Sequence, residues 1–187
     1  MRTLLMITLL VLTSACTGFR EGMPGVFRSP FAREEQMIRR IEQHDIKSVL
    51  CLRGGRSARL SERATMGGGA VYTAVPISAK RAPRPEALLR LWNVAATAER
   101  PILVHCRAGV DRTGLALAII ALHDTGDLEL AREQLAFFPN LHIAAFGTEA
   151  MDQVIDDFAP YLNVLPFPVW VEQVYTADYA SDNATPR

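Results

Sequence analysis

Ile102-Leu103-Val104-His105-Cys106-Arg107-Ala108-Gly109-Val110-Asp111-Arg112-Thr113-Gly114 is the stretch that decides how this chain reads. Ile102, Leu103 and Val104 form a short apolar run of the kind that makes a buried strand. Thr113 to His123 is apolar nearly all round, as a helix lodged in a core must be. Between them lies a tight loop. A strand entering such a loop and a helix leaving it lets successive backbone N–H groups point inward, backed by the positive end of the helix. That is an anion site. Gly109 allows the backbone to come close where a side chain would block it.

The side chains around this loop fit one chemistry. An ordinary thiol, with a pKa of about 8.5, is mostly protonated at neutral pH. Facing amide dipoles and a guanidinium, Cys106 is expected to fall in the roughly 3.5–7.5 range of activated cysteines and to act as a nucleophile on phosphorus. Arg112 presents a planar fork that clamps two phosphoryl oxygens and stabilises the charge they gather in transfer. Thr113 is placed to hydrogen-bond the sulfur, and His105 to fix the loop. The amides from Arg107 through Ala108, Gly109, Val110, Asp111 and Arg112 form the substrate-binding ring. The Arg107 side chain reads either as a solvated charge or as a substrate contact. A free cysteine is often just a small buried hydrophobe; here its neighbours favour chemistry.

Outward from this loop, strand-like and helix-like stretches alternate. Gly25 to Arg28 reads as a first edge strand closed by Ser29-Pro30. Met37, Ile38 and Ile41 share a helical face. Ser48 to Leu52 is a compact apolar strand leaving into Arg53-Gly54-Gly55. Ala70 to Ile77 reads as a strand after the Gly67-Gly68-Gly69 breaker. Pro85 opens a helix with Leu88, Leu91 and Trp92 on its apolar side. Two more helices are expected, around Leu128–Phe137 and Thr148–Leu162. The alternation predicts an α/β fold with a mainly parallel central sheet covered by helices on both faces.

His105-Cys106, five residues, then Arg112-Thr113-Gly114 resembles the H-C-x5-R-[ST]-G motif of protein tyrosine and dual-specificity phosphatases. Val26-Phe27-Arg28-Ser29 and Asp45 to Gly54 look like the N-terminal half of the compact bacterial type. The resemblance implies a protein-tyrosine-phosphatase-like fold and a ping-pong reaction through a cysteinyl-phosphate, with no metal and no organic cofactor. It also implies an aspartate general acid some thirty residues before the cysteine. The corresponding stretch, Val75 to Arg84, contains no carboxylate. Asp45 reads as structural, and Glu86 as a helix-dipole partner. The aspartate inside the loop remains: Asp111 resembles the C-x4-D-R-T pattern of myotubularin and Sac-type phosphoinositide phosphatases. Two readings of Asp111 stand, as leaving-group acid and as a brace accepting backbone hydrogen bonds. Lys80, Arg81 and Arg84 read either as solvated charges or as cations for a substrate with several phosphates.

Composition narrows the partners. The 187 residues carry 20 basic and 20 acidic side chains, so no net field argues for nucleic acid. His123 and His142 have no partners at metal-ligand spacing and read as structural. Met1-Arg2, the apolar Thr3–Leu12 and Thr13-Ser14-Ala15-Cys16 have the layout of an export signal. Cys16 resembles the lipidated cysteine of a bacterial lipoprotein, which implies a periplasm-facing, membrane-anchored protein of the cell envelope. Of the three cysteines, Cys51 and Cys106 then remain, with Cys51 either packed in the core or paired reversibly with Cys106. The expected organisation is a signal peptide over 1–15, a tether over 16–24, a phosphatase domain over 25–162 and an irregular tail over 163–187. The expected activity is phosphomonoester hydrolysis on phosphorylated proteins. Phosphorylated inositols or lipids are the alternative substrate, and a phosphate-binding module with little turnover is the alternative role.

Overall fold

The computed structural model describes residues 18–144, 147–176 and 179. The segment read as an export signal, Cys16 included, lies outside the described residues. Five strands, β1 (Arg20–Met23), β2 (Val26–Ser29), β3 (Ser48–Cys51), β4 (Val71–Ala74) and β5 (Ile102–His105), form one sheet in the order β1-β2-β5-β3-β4. β2, β5, β3 and β4 are parallel, and β1 is the antiparallel edge. β5 is central, as its four buried residues require.

Side chains alternate across a pleated strand, and the two cores follow that alternation. Val26, Leu50, Ile102 and Val104 face the larger core, which α3 (Pro85–Thr97) and α4 (Asp111–Thr125) cover with Leu88, Leu91, Leu115 and Ile119. Val49 and Leu103 face the other side, against Met37 and Ile41 of α1 (Glu34–Gln43) and Ala64 of α2 (Gly55–Gly67). Every residue of α4 from Thr113 to Leu122 is buried, so the helix that leaves the loop is itself core. α5 (Leu128–Glu133) and α6 (Ala150–Phe158) pack around it. The mainly parallel α/β sheet covered on both faces is present.

The structure corrects the sequence reading in four places. Residues 20–23, assigned to a tether, form β1; Phe19 and Met23 are buried, and β2 is consequently an interior strand. Gly55–Gly67, of which only the ends were read, as loop at Gly55 and breaker at Gly67, is the helix α2. Its end fits tightly on α1, where a Cβ on Gly68 would stand 2.9 Å from Ile41 Cδ1. The helix expected over Leu128–Phe137 stops at Glu133, and Phe137–Asn140 forms a separate short turn. Finally, the tail over 163–187 is not irregular throughout: α7 (Phe167–Trp170) continues as a wider π-type turn over Val171–Tyr175. Phe167 stacks on Trp92 at 5.2 Å between ring centroids, Trp170 lies 5.3 Å from Phe158, and both are about fully buried. Tyr175 donates its hydroxyl hydrogen to the Pro83 carbonyl at 2.7 Å, fastening this segment to the loop before α3.

Because Trp170 is 1% exposed, its replacement by alanine removes a large buried ring. Trp170→Ala is expected to lower unfolding free energy by about 3–5 kcal/mol in a urea titration, whereas a residue of a loose tail would cost nothing measurable.

Candidate active site

Parallel strands bring their carboxyl ends to one side of the sheet, and the loops that leave them meet there. Ser29 and Cys51 both stand in register with His105, on either side of it. Leu52 N–H donates to the His105 carbonyl at 2.9 Å, extending the ladder to the threshold of the loop. Cys106 is thereby delivered at the centre of the sheet's carboxyl edge.

The chain then folds back over the sulfur. Gly109 adopts φ +73°, in the left-handed region, and its N–H donates to Cys106 Sγ at 3.2 Å. A Cβ at this position would lie 2.5 Å from the carbonyl carbon of Ser29 and 2.6 Å from its oxygen. Glycine is therefore required twice over, by the backbone angle and by the close passage of β2's end. Phe31 N–H donates to the Arg107 carbonyl at 3.1 Å and ties the same segment to the rim of the loop.

Arg28 supplies the support that sequence reasoning passed over. It is 1% exposed and stands behind the loop. Its guanidinium donates to the Gly109 carbonyl from Nε (3.2 Å) and Nη2 (3.0 Å), and from Nη2 to the Val110 carbonyl at 3.2 Å. It also donates to Gln134 O and to Asn140 Oδ1. Burial pushes Arg28 down to about 10, which still leaves it charged at neutral pH. With the Gly109 carbonyl drawn backward, its peptide unit presents the Val110 N–H toward the sulfur. A signal existed in the sequence: a lone arginine within an otherwise apolar strand needs buried acceptors.

The thiol responds to this setting. Burial would raise Cys106, but the neighbouring Thr113 hydroxyl, the charge of Arg112 and the amides of Gly109 and Val110 outweigh it and hold the thiol below its ordinary value. Arg112, half-buried on the first turn of α4, donates from Nη1 to the carbonyls of Leu52 and Ile77, both at 3.4 Å. It is braced by the segments that follow two strands, β3 and β4. His105 is fully buried, and burial pushes it down to about 4, so it is a neutral imidazole at neutral pH. Arg107 and Ala108 are exposed at the rim. Cys51 and Cys106 are both buried free thiols, so they are not joined by a disulfide here.

Asp111 opens α4 and faces a partner that the sequence reading did not assign. His142 Nδ1 stands 2.8 Å from Asp111 Oδ1, and His142 Nε2 stands 2.7 Å from Asp152 Oδ2 on α6. The structure thus brings His142 into the site, where the sequence had offered only a structural role. Glu86 lies in the first turn of α3, and Lys80, Arg81 and Arg84 are exposed on the loop before it. Among the described residues no group of His, Cys, Asp or Glu side chains converges as metal ligands would.

Comparison with known proteins agrees with this geometry. Residues 22–126 match the family described as "Polymorphic toxin system, DSP-PTPase phosphatase". No curated protein matches the sequence significantly. Among solved structures, a variant of TpbA from P. aeruginosa in complex with pTyr is 19% identical. The alignment covers 81% of this chain and 93% of that one, with a TM-score of 0.59. A putative phosphatase (DUF442) from Shewanella putrefaciens is 17% identical over 75% of this chain and 89% of its own, TM-score 0.56. The core catalytic domain of the PP-IP phosphatase SIW14 from S. cerevisiae is 25% identical over 80% and 94%, TM-score 0.56. The first two likenesses establish the shared fold.

Two outcomes are expected. Gly109→Ala cannot keep both its φ and its clearance from Ser29, so the loop opens and turnover of an aryl phosphate drops to the level of Cys106→Ser. Alkylation of Cys106 by iodoacetamide persists on the acid side of an ordinary thiol's titration near about 8.5, because its thiolate is favoured. Thr113→Val shifts that alkylation midpoint upward.

Proposed function

Because this chain belongs to the DSP-PTPase phosphatase family of polymorphic toxin systems and is a cysteine-dependent phosphatase, we propose that Cys106 is its nucleophile and that phosphorylated proteins, phosphotyrosine foremost, are its substrates. One observation carries the assignment: the buried sulfur accepts the Gly109 N–H at 3.2 Å while hydrogen bonding and Arg112 hold the thiol below its ordinary value. A sulfur so placed lies where a phosphoryl group seated on the loop amides would be attacked.

In the first step Cys106 Sγ bonds phosphorus as the ester oxygen leaves, and the phosphoryl oxygens rest on the loop N–H groups and the Arg112 fork. The leaving oxygen needs a proton. The loop over Val75–Arg84 has no carboxylate, and Asp111 is the carboxylate that belongs to the phosphate loop itself. We assign Asp111 as that general acid. In the second step water attacks phosphorus, Asp111 takes its proton, and the S–P bond breaks to return thiolate and inorganic phosphate. Thr113 assists the departing sulfur. His105, neutral and fully buried, ends β5 directly before the nucleophile.

A second reading has its own support. Lys80, Arg81 and Arg84 are exposed on the segment that follows Ile77, whose carbonyl braces Arg112. Together with the likeness to a PP-IP phosphatase core, this favours a substrate bearing several phosphates. The apolar Thr3–Leu12 run followed by Cys16 supports export and a lipid anchor in a bacterial envelope, which is part of the same proposal.

Rapid mixing with p-nitrophenyl phosphate is expected to give a burst of one nitrophenol per active thiol, and Cys106→Ser to give none. On a substrate panel, phosphotyrosine peptides are expected to outrun inositol pyrophosphates. The opposite order, with inositol pyrophosphate turnover lost in Lys80→Ala/Arg81→Ala/Arg84→Ala, would install the second reading.

A further inference from the structure

His142 and Asp152 lie beyond the segment that matches the family, which ends at Gly126, yet they reach back to the aspartate of the phosphate loop. Nδ1 of His142 contacts Asp111 Oδ1 at 2.8 Å, and Nε2 contacts Asp152 Oδ2 at 2.7 Å. The imidazole is almost wholly enclosed, with its side chain 2% exposed, while the two carboxylates are 26% and 31% exposed. Both ring nitrogens therefore face carboxylate oxygens and have little access to water.

The hydrogen count in that line is informative. A neutral imidazole has one N–H and one acceptor nitrogen, and an ionised carboxylate only accepts. Two contacts of 2.7–2.8 Å are both hydrogen bonds only if two protons lie on the line, one in each gap. An enclosed side chain at these distances does not sustain acceptor against acceptor. Asp152, by occupying Nε2, keeps the ring oriented so that Nδ1 faces Asp111.

We propose that His142, fixed by Asp152, is the positioning residue for the general acid: it donates Nδ1–H to Asp111 Oδ1, leaving Oδ2 to carry the proton that the leaving group takes. The proposal rests on the reading of Asp111 as the acid. The proton balance is closed. In the first step the Oδ2 proton passes to the ester oxygen as the O–P bond breaks and the S–P bond forms. Asp111 becomes a carboxylate stabilised by the standing Nδ1–H bond. In the second step the attacking water returns a proton to Oδ2, and the two protons on the Asp111–His142–Asp152 line stay where they were. His142 touches neither phosphorus nor the leaving group. It acts through the direction and charge of Asp111.

The same site is also tied to its support from behind. Asn140, two residues before His142, accepts from Arg28, and Arg28 holds the Gly109 and Val110 carbonyls. One short segment thus carries both an anchor for the ring of amides and the orienter of the acid.

The test compares Asp111→Asn, His142→Ala, His142→Asn, Asp152→Asn and the double variant Asp111→Asn/His142→Ala on two substrates. One is a phosphoserine peptide, whose alkoxide leaving group needs a proton; the other is p-nitrophenyl phosphate, whose leaving group hardly does. Burst amplitude on p-nitrophenyl phosphate reports how much of each variant is folded with a working thiol. Asp111→Asn is expected to lose on the order of a hundredfold in kcat on the peptide, far more than on the aryl ester. His142→Ala is expected to show the same selective loss in kcat with KM little changed, at about tenfold or more. The double variant falls no further than Asp111→Asn alone. His142→Asn, whose amide nitrogen takes the place of Nδ1, recovers part of the loss. If Asp111→Asn is selective but His142→Ala loses equally on both substrates, or adds to Asp111→Asn in full, the positioning role is refuted and the acid stands. If Asp111→Asn itself loses equally on both, the acid assignment fails and this inference falls with it.

Discussion

A buried positive charge organises this molecule. Arg28 sits in an interior strand with almost no solvent contact, and its guanidinium donates to the carbonyls of Gly109 and Val110. A charge in such a place is costly unless its donors are satisfied, and the phosphate loop is what satisfies them. The same bonds orient the loop, because a peptide unit whose carbonyl points at Arg28 presents its N–H to the other side. The other side is Cys106. One interaction thus resolves the burial of an arginine and creates the electropositive ring that favours a thiolate.

The surroundings follow from that arrangement. Gly109 passes so close to the end of β2 that no Cβ fits between them, and that contact keeps Arg28 within reach of the carbonyls. Arg112 is held by the segments that follow β3 and β4, through the carbonyls of Leu52 and Ile77. The nucleophile is therefore enclosed by main-chain groups on rigid elements, which suits a site that must stabilise charge without rearranging. The π-type turn over Val171–Tyr175 is fastened by Tyr175 to the Pro83 carbonyl, on the same loop from which Ile77 gives Arg112 part of its support.

The carboxylates lie otherwise than the resemblance led one to expect, in which an aspartate arrives from a separate loop. Here a carboxylate, Asp111, lies inside the loop that follows Cys106 and is engaged by an enclosed histidine backed by a second aspartate. In the role proposed for it, Asp111 on the first turn of α4 takes its position from the helix and its direction from a neighbour. The 137–142 segment, which bears Asn140 and His142, fills that need.

Some of this was legible in residue order and some was not. The apolar run Ile102–Val104, the closely spaced Cys106, Gly109, Arg112 and Thr113, and the all-apolar helix after them identify a phosphate loop on a parallel sheet, because that information is local and dictated by backbone geometry. The β1 strand was not legible: four residues, Arg20 to Met23, carry no run or alternation, and only pairing with β2 makes them a strand. Nor was the C-terminal helix, since Phe167 and Trp170 are apolar at helical spacing over too few turns to stand out and become helical by burial against Trp92 and Phe158. Arg28 and His142 are single residues whose partners lie 81 and 31 positions away. By itself, then, the order of residues determined which groups could do the chemistry. Which groups hold them in position was decided by the fold, because a hydrogen bond to a distant carbonyl or carboxylate leaves no periodic trace along the chain.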